Sequence, residues 1–345
     1  DTAQVYQSGI FGPQSLEIGK TMRLQAENLR ETGKLDSAHQ TIQKAYDIYK
    51  AKEDTLSEGY LKVLMEYSSV LNAKGDFKAS KKIEQQSLTL SQRLYEPPHP
   101  DILQSLNGLA RAHKELNEYE KADSLYYRSL EMTKILNGEE HIQTAVTINN
   151  MAGNYFYMEQ YPKADSLYNE SHSILTKAVG AEHPYTVSTL FNWGNLKSAM
   201  GDYEGAEKIY QKVIRLDIKQ YGEQHQYVAT DYTGLADMYK EQGRYKDALE
   251  IFEKSIAIRE KIFDNPHHPY IAFNHRSCAQ IYSALEQGEK AKRFYKDALE
   301  SLIISYDREH EEVMATAKLY ARYLSTQNVE VSPDSLIAKL APEAN

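Results

Sequence analysis

The chain has little of what would make it a disulfide scaffold, a membrane protein or a nucleic-acid binder. It carries one cysteine, Cys278, in 345 residues, so no internal disulfide forms and no oxidising compartment is demanded. No apolar run approaches the roughly 18 residues that span a bilayer. No charged segment followed by an apolar stretch marks a signal peptide. Cationic charge is in deficit: 40 Lys and Arg stand against 49 acidic residues, a net charge of -9, which argues against nucleic acid or an anionic membrane surface as a general partner. A Gly-rich phosphate loop, a nucleophile elbow and a catalytic triad pattern are all missing, so the expectation is a protein that is not an enzyme and takes no cofactor. The first residue is Asp1, which suits either a removed leader or a piece of a longer chain. The expected setting is soluble, in the cytoplasm or, with a leader removed, outside it.

What is present is a repeat. With 41% hydrophobic and 26% charged residues the composition is that of a folded soluble protein, and self-similarity orders it. A small residue recurs at Ala38, Ser80, Ala122, Ala164, Ala206, Ala248 and Ala291, in steps of 42 with a single 43. Twelve residues upstream runs a second series, Ala26, Ser68, Ala110, Ala152, Gly194, Ala236, Ala279 and Ala321. Small residues on two helices let their backbones approach, so these series mark helix pairs in contact. Between them lie Gly33, Gly75, Asn117, Glu159, Gly201, Gly243 and Glu286, where Gly or Asn suits the left-handed residue that ends one helix before the next. Pro162 falls at the start of a second helix, where a missing N–H costs nothing. Gly138, Gly180 and Gly222 fall where second helices stop.

Aromatics fill the remaining register. Phe77, Tyr119, Tyr161, Tyr203 and Tyr245 precede the second small residue by three, and Tyr126, Tyr168, Tyr210, Phe252 and Tyr295 follow it by four. Their regularity makes them packing residues. Six of the 11 histidines recur once per repeat in the linkers, at His99, His141, His183, His225, His268 and His310. Residues a whole repeat apart do not converge on one ion, so these are expected to cap helices and to bind no metal. His267–His268 suits adventitious metal at most, and Cys278, next to Ala279, reads as a small packed side chain.

The segments Leu106-Asn107-Gly108-Leu109-Ala110, Asn117-Glu118-Tyr119-Glu120-Lys121-Ala122 and Gly243-Arg244-Tyr245-Lys246-Asp247-Ala248 resemble a tetratricopeptide repeat (TPR). The family's standard unit has about 34 residues; a 42-residue unit with His or His-Pro linkers is similar to the longer form of kinesin light chains. Repeats one and two depart from the pattern, with Ser68, Ser80 and Glu84 at family positions, and Gly288 replaces an aromatic in the seventh. The fold this implies is all-α: a right-handed α-solenoid of about eight antiparallel TPR-type helix pairs with a short C-terminal capping segment. Residues 1–14 form a lead-in; repeats run over about 15–56, 57–98, 99–140, 141–182, 183–224, 225–267 and 268–309, with 310–328 partial. Residues 329–345 cap the last apolar face, opening with Ser332-Pro333-Asp334.

The resemblance also implies a concave groove lined by first-helix residues at offsets of -6, -3, +1, +4 and +5 from the first small residue, positions that helical geometry places on one face. Those positions hold ten basic residues (Lys20, Arg23, Arg30, Lys62, Arg111, Lys114, Lys240, Arg276, Lys318, Arg322) and five acidic ones. The excess points to an acidic protein or peptide as guest. Asn107, Arg111, Lys114, Asn149, Phe156, Phe191, Asn195, Lys240 and Arg276 are the expected groove residues. Cations take the guest's carboxylates, asparagines hold its backbone, and the two phenylalanines offer an apolar pocket or else pack between first helices. The function expected is a scaffold that clasps an extended or helical segment. The alternative is a sensory or substrate-docking region of a larger signalling enzyme, such as the kinases or caspase-like proteases that carry similar repeats. A third reading is a purely structural spacer or a self-associating solenoid.

Overall fold

The computed structural model describes residues 15–341 except 264 and 307. All regular structure among them is helical: α1 Leu16–Glu31, α2 Leu35–Ala51, α3 Glu58–Ala73, α4 Phe77–Leu94, α5 Pro100–Glu115, α6 Tyr119–Asn137, α7 Ile142–Tyr157, α8 Tyr161–Val179, α9 Pro184–Ala199, α10 Tyr203–Tyr221, α11 Gln226–Glu241, α12 Tyr245–Ile262, α13 Pro269–Ala284, α14 Gly288–Ser305, α15 Glu311–Thr326 and α16 Pro333–Leu340. The chain falls into two compact units that divide after Tyr185. Within the first, α1 to α8 pack each on the next, and the first helices α1 and α3, then α3 and α5, also touch. The second is likewise a stack of helix pairs, an α-solenoid arrangement, closed by α16 against α14 and α15. The expected lead-in, residues 1–14, lies outside the described residues, as do the last four residues of the capping segment.

The registers read from the sequence explain this packing. Every residue of both small series is buried, and those of the series from Ala38 to Ala291 have no exposed surface. At these points two helix backbones meet with nothing larger between them. Gly33, Gly75, Asn117, Glu159, Gly201, Gly243, Glu286 and Asn328 all take the left-handed conformation, with φ between +55° and +79°. Each closes a first helix: in the third repeat the Glu118 amide donates to the His113 carbonyl at 2.9 Å and the Asn117 amide to Lys114 at 2.9 Å, the reciprocal pattern of a Schellman turn. Gly138, Gly180 and Gly222 do something else. They end α6, α8 and α10 with φ of +90°, +94° and +84° and ψ of 168°, 163° and 164°, a region closed to side chains.

Tyr126, Tyr168, Tyr210, Phe252 and Tyr295 are buried as expected. The other aromatic series is only half-buried: these rings sit at the start of each second helix, where the stack has an edge. The last core takes in Leu336 and Ile337 of α16, whose Ser332 cap accepts from the Ser335 amide at 3.1 Å.

Candidate functional site

The linker histidines are helix caps. Nδ1 of His99, His141, His183, His225, His268 and His310 accepts the amide N–H two residues on, at 3.2 to 3.3 Å. This takes one of the orphan donors of each first helix. Four of the rings also stack on the aromatic that ends the preceding second helix, at centroid distances of 3.7 Å for Tyr95–His99, 4.5 Å for Tyr221–His225, 3.6 Å for Phe263–His268 and 3.9 Å for Tyr306–His310. His267 is held separately, by Ser301 Oγ at 3.2 Å. Among the described residues no group of three or more His, Cys, Asp or Glu is placed to hold a metal ion, and no helix is long and apolar enough to cross a membrane. Cys278 is buried, and burial pushes its thiol up to about 12.

A cleft of about 680 Å³ opens in the first unit. Its walls are Met65, Ser68 and Ser69 of α3, Glu84 of α4, Leu103, Gln104, Asn107, Gly108, Arg111 and Lys114 of α5, Tyr126 of α6, and Gln143 and Asn150. Three of the expected groove residues, Asn107, Arg111 and Lys114, meet there. Asn149 is half-buried on α7 and does not line the cleft; its neighbour Asn150 does.

The three differ in what they have left to offer a guest. The Asn107 carbonyl oxygen accepts from Ser129 Oγ at 2.6 Å, so its amide N–H groups remain. Lys114 is half-buried, 3.0 Å from Glu115 and over the Tyr157 ring at 5.4 Å. Tyr157 is 53% exposed and stacks on Tyr119 at 6.2 Å, which makes it an aromatic platform at the edge of the basic pair. Arg111 is exposed and forms no ion pair among the described residues.

Most other groove cations are answered by neighbours. Arg30 reaches Glu66 at 2.9 Å, Lys62 reaches Asp101 at 2.7 Å, and Arg276 reaches Glu312 at 2.6 Å. Those three acids come from the next repeat, at positions outside the five groove offsets. Lys240 is 2.8 Å from Asp237 and also reaches Ser277 at 3.3 Å. The basic excess counted along the groove is therefore largely neutralised in place.

The remaining expected residues serve packing in part. Phe156 is half-buried between Tyr157 at 5.2 Å and Tyr161 at 6.1 Å. In the second unit Phe191 lies edge-on to Tyr210 at 5.8 Å. A Cβ on Gly234 would come within 2.9 Å of both rings, so Phe191 wedges between α9 and α11. Asn195 accepts from the Tyr210 hydroxyl at 2.6 Å.

Two features escaped the sequence reading. Glu118, at the turn of the third repeat, accepts from Lys81 of the second at 3.0 Å and from His113, and these bonds hold its carboxyl down at about 2. Asp217 and Asp231 face each other between α10 and α11, both buried. Glu118 shares its register with polar residues such as Asp76, Gln160 and Asp202, and Asp231 shares its own with small ones such as Ser105, Thr147 and Thr189, so nothing in the sequence singles out either contact.

The family described as Tetratricopeptide repeat matches residues 60–135, 143–217 and 185–261. No curated protein sequence matches the chain. Among solved structures it is similar to a Rap protein complexed with competence and sporulation factor, at 15% identity and a TM-score of 0.63, over 94% of this chain and 86% of that one. It is similar also to the apo form of the quorum sensor NprR from B. thuringiensis, at 13% identity and a TM-score of 0.60, over 94% and 87%. A third is a tetratricopeptide repeat protein from Parabacteroides merdae, at 17% identity and a TM-score of 0.56, over 89% and 98%. These likenesses are of fold. The family match, the helix pairs and the 42-residue register agree: the chain belongs to the tetratricopeptide repeat family, in the long-repeat form that resembles kinesin light chains.

Proposed function

We propose that the chain is a protein-interaction scaffold that holds an acidic, extended or helical segment of a partner in the cleft between its second and fourth repeats. The observation that carries this reading is Arg111: an exposed guanidinium with no ion pair among the described residues, in a cleft that also offers the Asn107 amide. A guest carboxylate meets there a planar fork of donors. Lys114 and the Tyr157 face continue the site along the next turn. One structural neighbour is a Rap protein in complex with competence and sporulation factor, which supports a ligand-holding use of this fold. Two groove cations of the second unit, Lys240 and Arg276, are tied into contacts between repeats, and the acid preference is assigned to Arg111 and Lys114 because they line the cleft.

Selection from a random dodecapeptide library tests this. The parent enriches peptides with Asp or Glu, and Arg111→Glu with Lys114→Glu loses that enrichment. Each charge-assisted contact is worth about 1.5–3 kcal/mol, so even one lost weakens binding about tenfold or more. Helical content stays as in the parent, since exposed charge changes move stability by only about 0.5 kcal/mol. An unchanged acidic preference in the double variant overturns the assignment.

A further inference from the structure

The floor of the cleft breaks the repeat pattern. Four residues after the second small position the later repeats place a buried ring: Tyr126, Tyr168, Tyr210, Phe252 and Tyr295. The second repeat places Glu84 there. The register supplies a direct comparison, because Gly108 stands to Glu84 as Gly234 stands to Tyr210, three repeats on. A Cβ on Gly234 would lie 2.9 Å from the Tyr210 ring, and a Cβ on Gly108 would lie 2.3 Å from Glu84 Oε1. A slot shaped for an aromatic ring is thus filled by a carboxyl, and the volume left over opens into the cleft. The small positions around it are serines in this repeat alone, Ser68 and Ser80, and the buried Ser80 hydroxyl has no hydrogen-bond partner.

Glu84 is 4% exposed, yet lines the cleft. Ser68 stands within reach of the carboxyl, but its hydroxyl proton goes to the Met65 carbonyl at 2.9 Å. The carboxyl thus shares its one side-chain donor with the Met65 carbonyl. Arg111, from α5, is the charged group that faces it; burial outweighs that charge and pushes Glu84 up to about 7. A buried carboxyl short of donors stabilises a cation that brings them, because charge-assisted bonds strengthen where water is excluded.

We propose that Glu84 is the floor of a cation subsite, so that the cleft accepts a peptide segment carrying a lysine or arginine side chain close to the acidic residue held by Arg111. This rests on the cleft being the guest site. The guest's ammonium or guanidinium enters over Gly108 and donates to the Glu84 carboxylate, while its carboxylate takes Arg111 on the rim. Only the basic–acidic pair satisfies both ends of the cleft at once. Binding displaces any proton from Glu84, so the affinity of such a peptide rises between pH 6 and pH 8, with Arg111 and Ser68 as the groups facing the carboxyl from α5 and α3.

The test uses the full chain and the same dodecapeptide library, panned at pH 8 against the parent and Glu84→Gln. The parent is expected to enrich peptides with a basic residue at fixed spacing from an acidic one, and Glu84→Gln to keep the acidic preference and lose the basic one. A synthetic peptide from the parent's selection should bind Glu84→Gln about tenfold or more weakly. Replacing its Lys by norleucine should cost the parent as much and Glu84→Gln nothing further. Glu84→Tyr, which supplies the ring of the later repeats, should remain folded and lose the peptide altogether. A basic preference retained by Glu84→Gln, or a parent that selects acidic peptides with no basic residue, overturns the cation subsite and leaves the Arg111 assignment standing. A parent with no acidic preference overturns both.

Discussion

The buried carboxyls of Asp217 and Asp231 set a pH dependence that one substitution should remove. Asp231 is 3% exposed and Asp217 6%. Burial, followed by the charge of Asp217, pushes Asp231 up to about 9, and burial raises Asp217 as well. The pair therefore keeps a proton at neutral pH. In the unfolded chain an aspartate titrates near 3.9, so between about pH 4 and pH 9 the folded state binds one more proton. Stability from this source is full below pH 4 and falls as pH rises through that window, by up to about 1.4 kcal/mol per pH unit. The loss at pH 7 is on the order of 4 kcal/mol. Asp231→Asn keeps a donor for Asp217 and abolishes the shared proton. Urea denaturation of both chains, followed by helical circular dichroism at pH 5.5, 7 and 8.5, measures the difference. The variant should gain on the parent by on the order of 1 kcal/mol per pH unit and be clearly more stable at pH 8.5. His39, His268 and His275, lowered by burial, impose the opposite slope below about pH 6.5, but equally on both chains, so they cancel. A difference that does not change with pH, or a parent that is the more stable at pH 8.5, refutes the shared proton.

The two kinds of turn glycine should respond differently. Gly180→Ala forces a side chain into a φ/ψ region open essentially to glycine alone, at a cost of about 1–3 kcal/mol. Gly243→Asn stays within the left-handed region that Asn117 and Asn328 already occupy and should cost only a few tenths; equal losses in thermal melts would contradict the assignment of the turns. At the linkers, His141→Ala removes a cap and should destabilise by about 1 kcal/mol, whereas His141→Asp should recover most of it. If alanine and aspartate melt together, the imidazole acts by stacking or packing and not as an acceptor.

The axial order of this fold was open to the sequence because it repeats. A small residue every 42 positions means close helix contact wherever it falls, and Gly33 or Gly243 before a new helix has one conformational meaning. The same holds for the ring series and for the histidines, although their stacking on Tyr95, Phe263 and Tyr306 joins two residues that periodicity had treated apart. The groove was less legible. Counting charges on one helix face omits what the next repeat supplies, and Glu66, Asp101 and Glu312 reach back to Arg30, Lys62 and Arg276 from positions on the flank of their own helices. Phe191 could be placed on a face from its register, but its contact with Gly234 and Tyr210 depends on how closely two first helices approach. Glu84 was visible as an exception to the pattern, while its meaning needed the Gly108 contact, which brings together side chains of two repeats.

The most direct test of the account places a photo-crosslinking residue inside the cleft and another outside it. Gln104 is exposed and lines the cleft, whereas Tyr127, on the second helix of the same repeat, is 60% exposed and does not line it. Each position in turn is replaced by a benzoyl-phenylalanine, and a biotinylated acidic peptide selected by the parent chain is irradiated with each protein. Strong crosslinking at position 104 that is competed by unlabelled peptide, with background levels at 127, is the predicted result. Efficient, competed crosslinking at 127 and none at 104 would contradict the central claim and move the guest to the outer face.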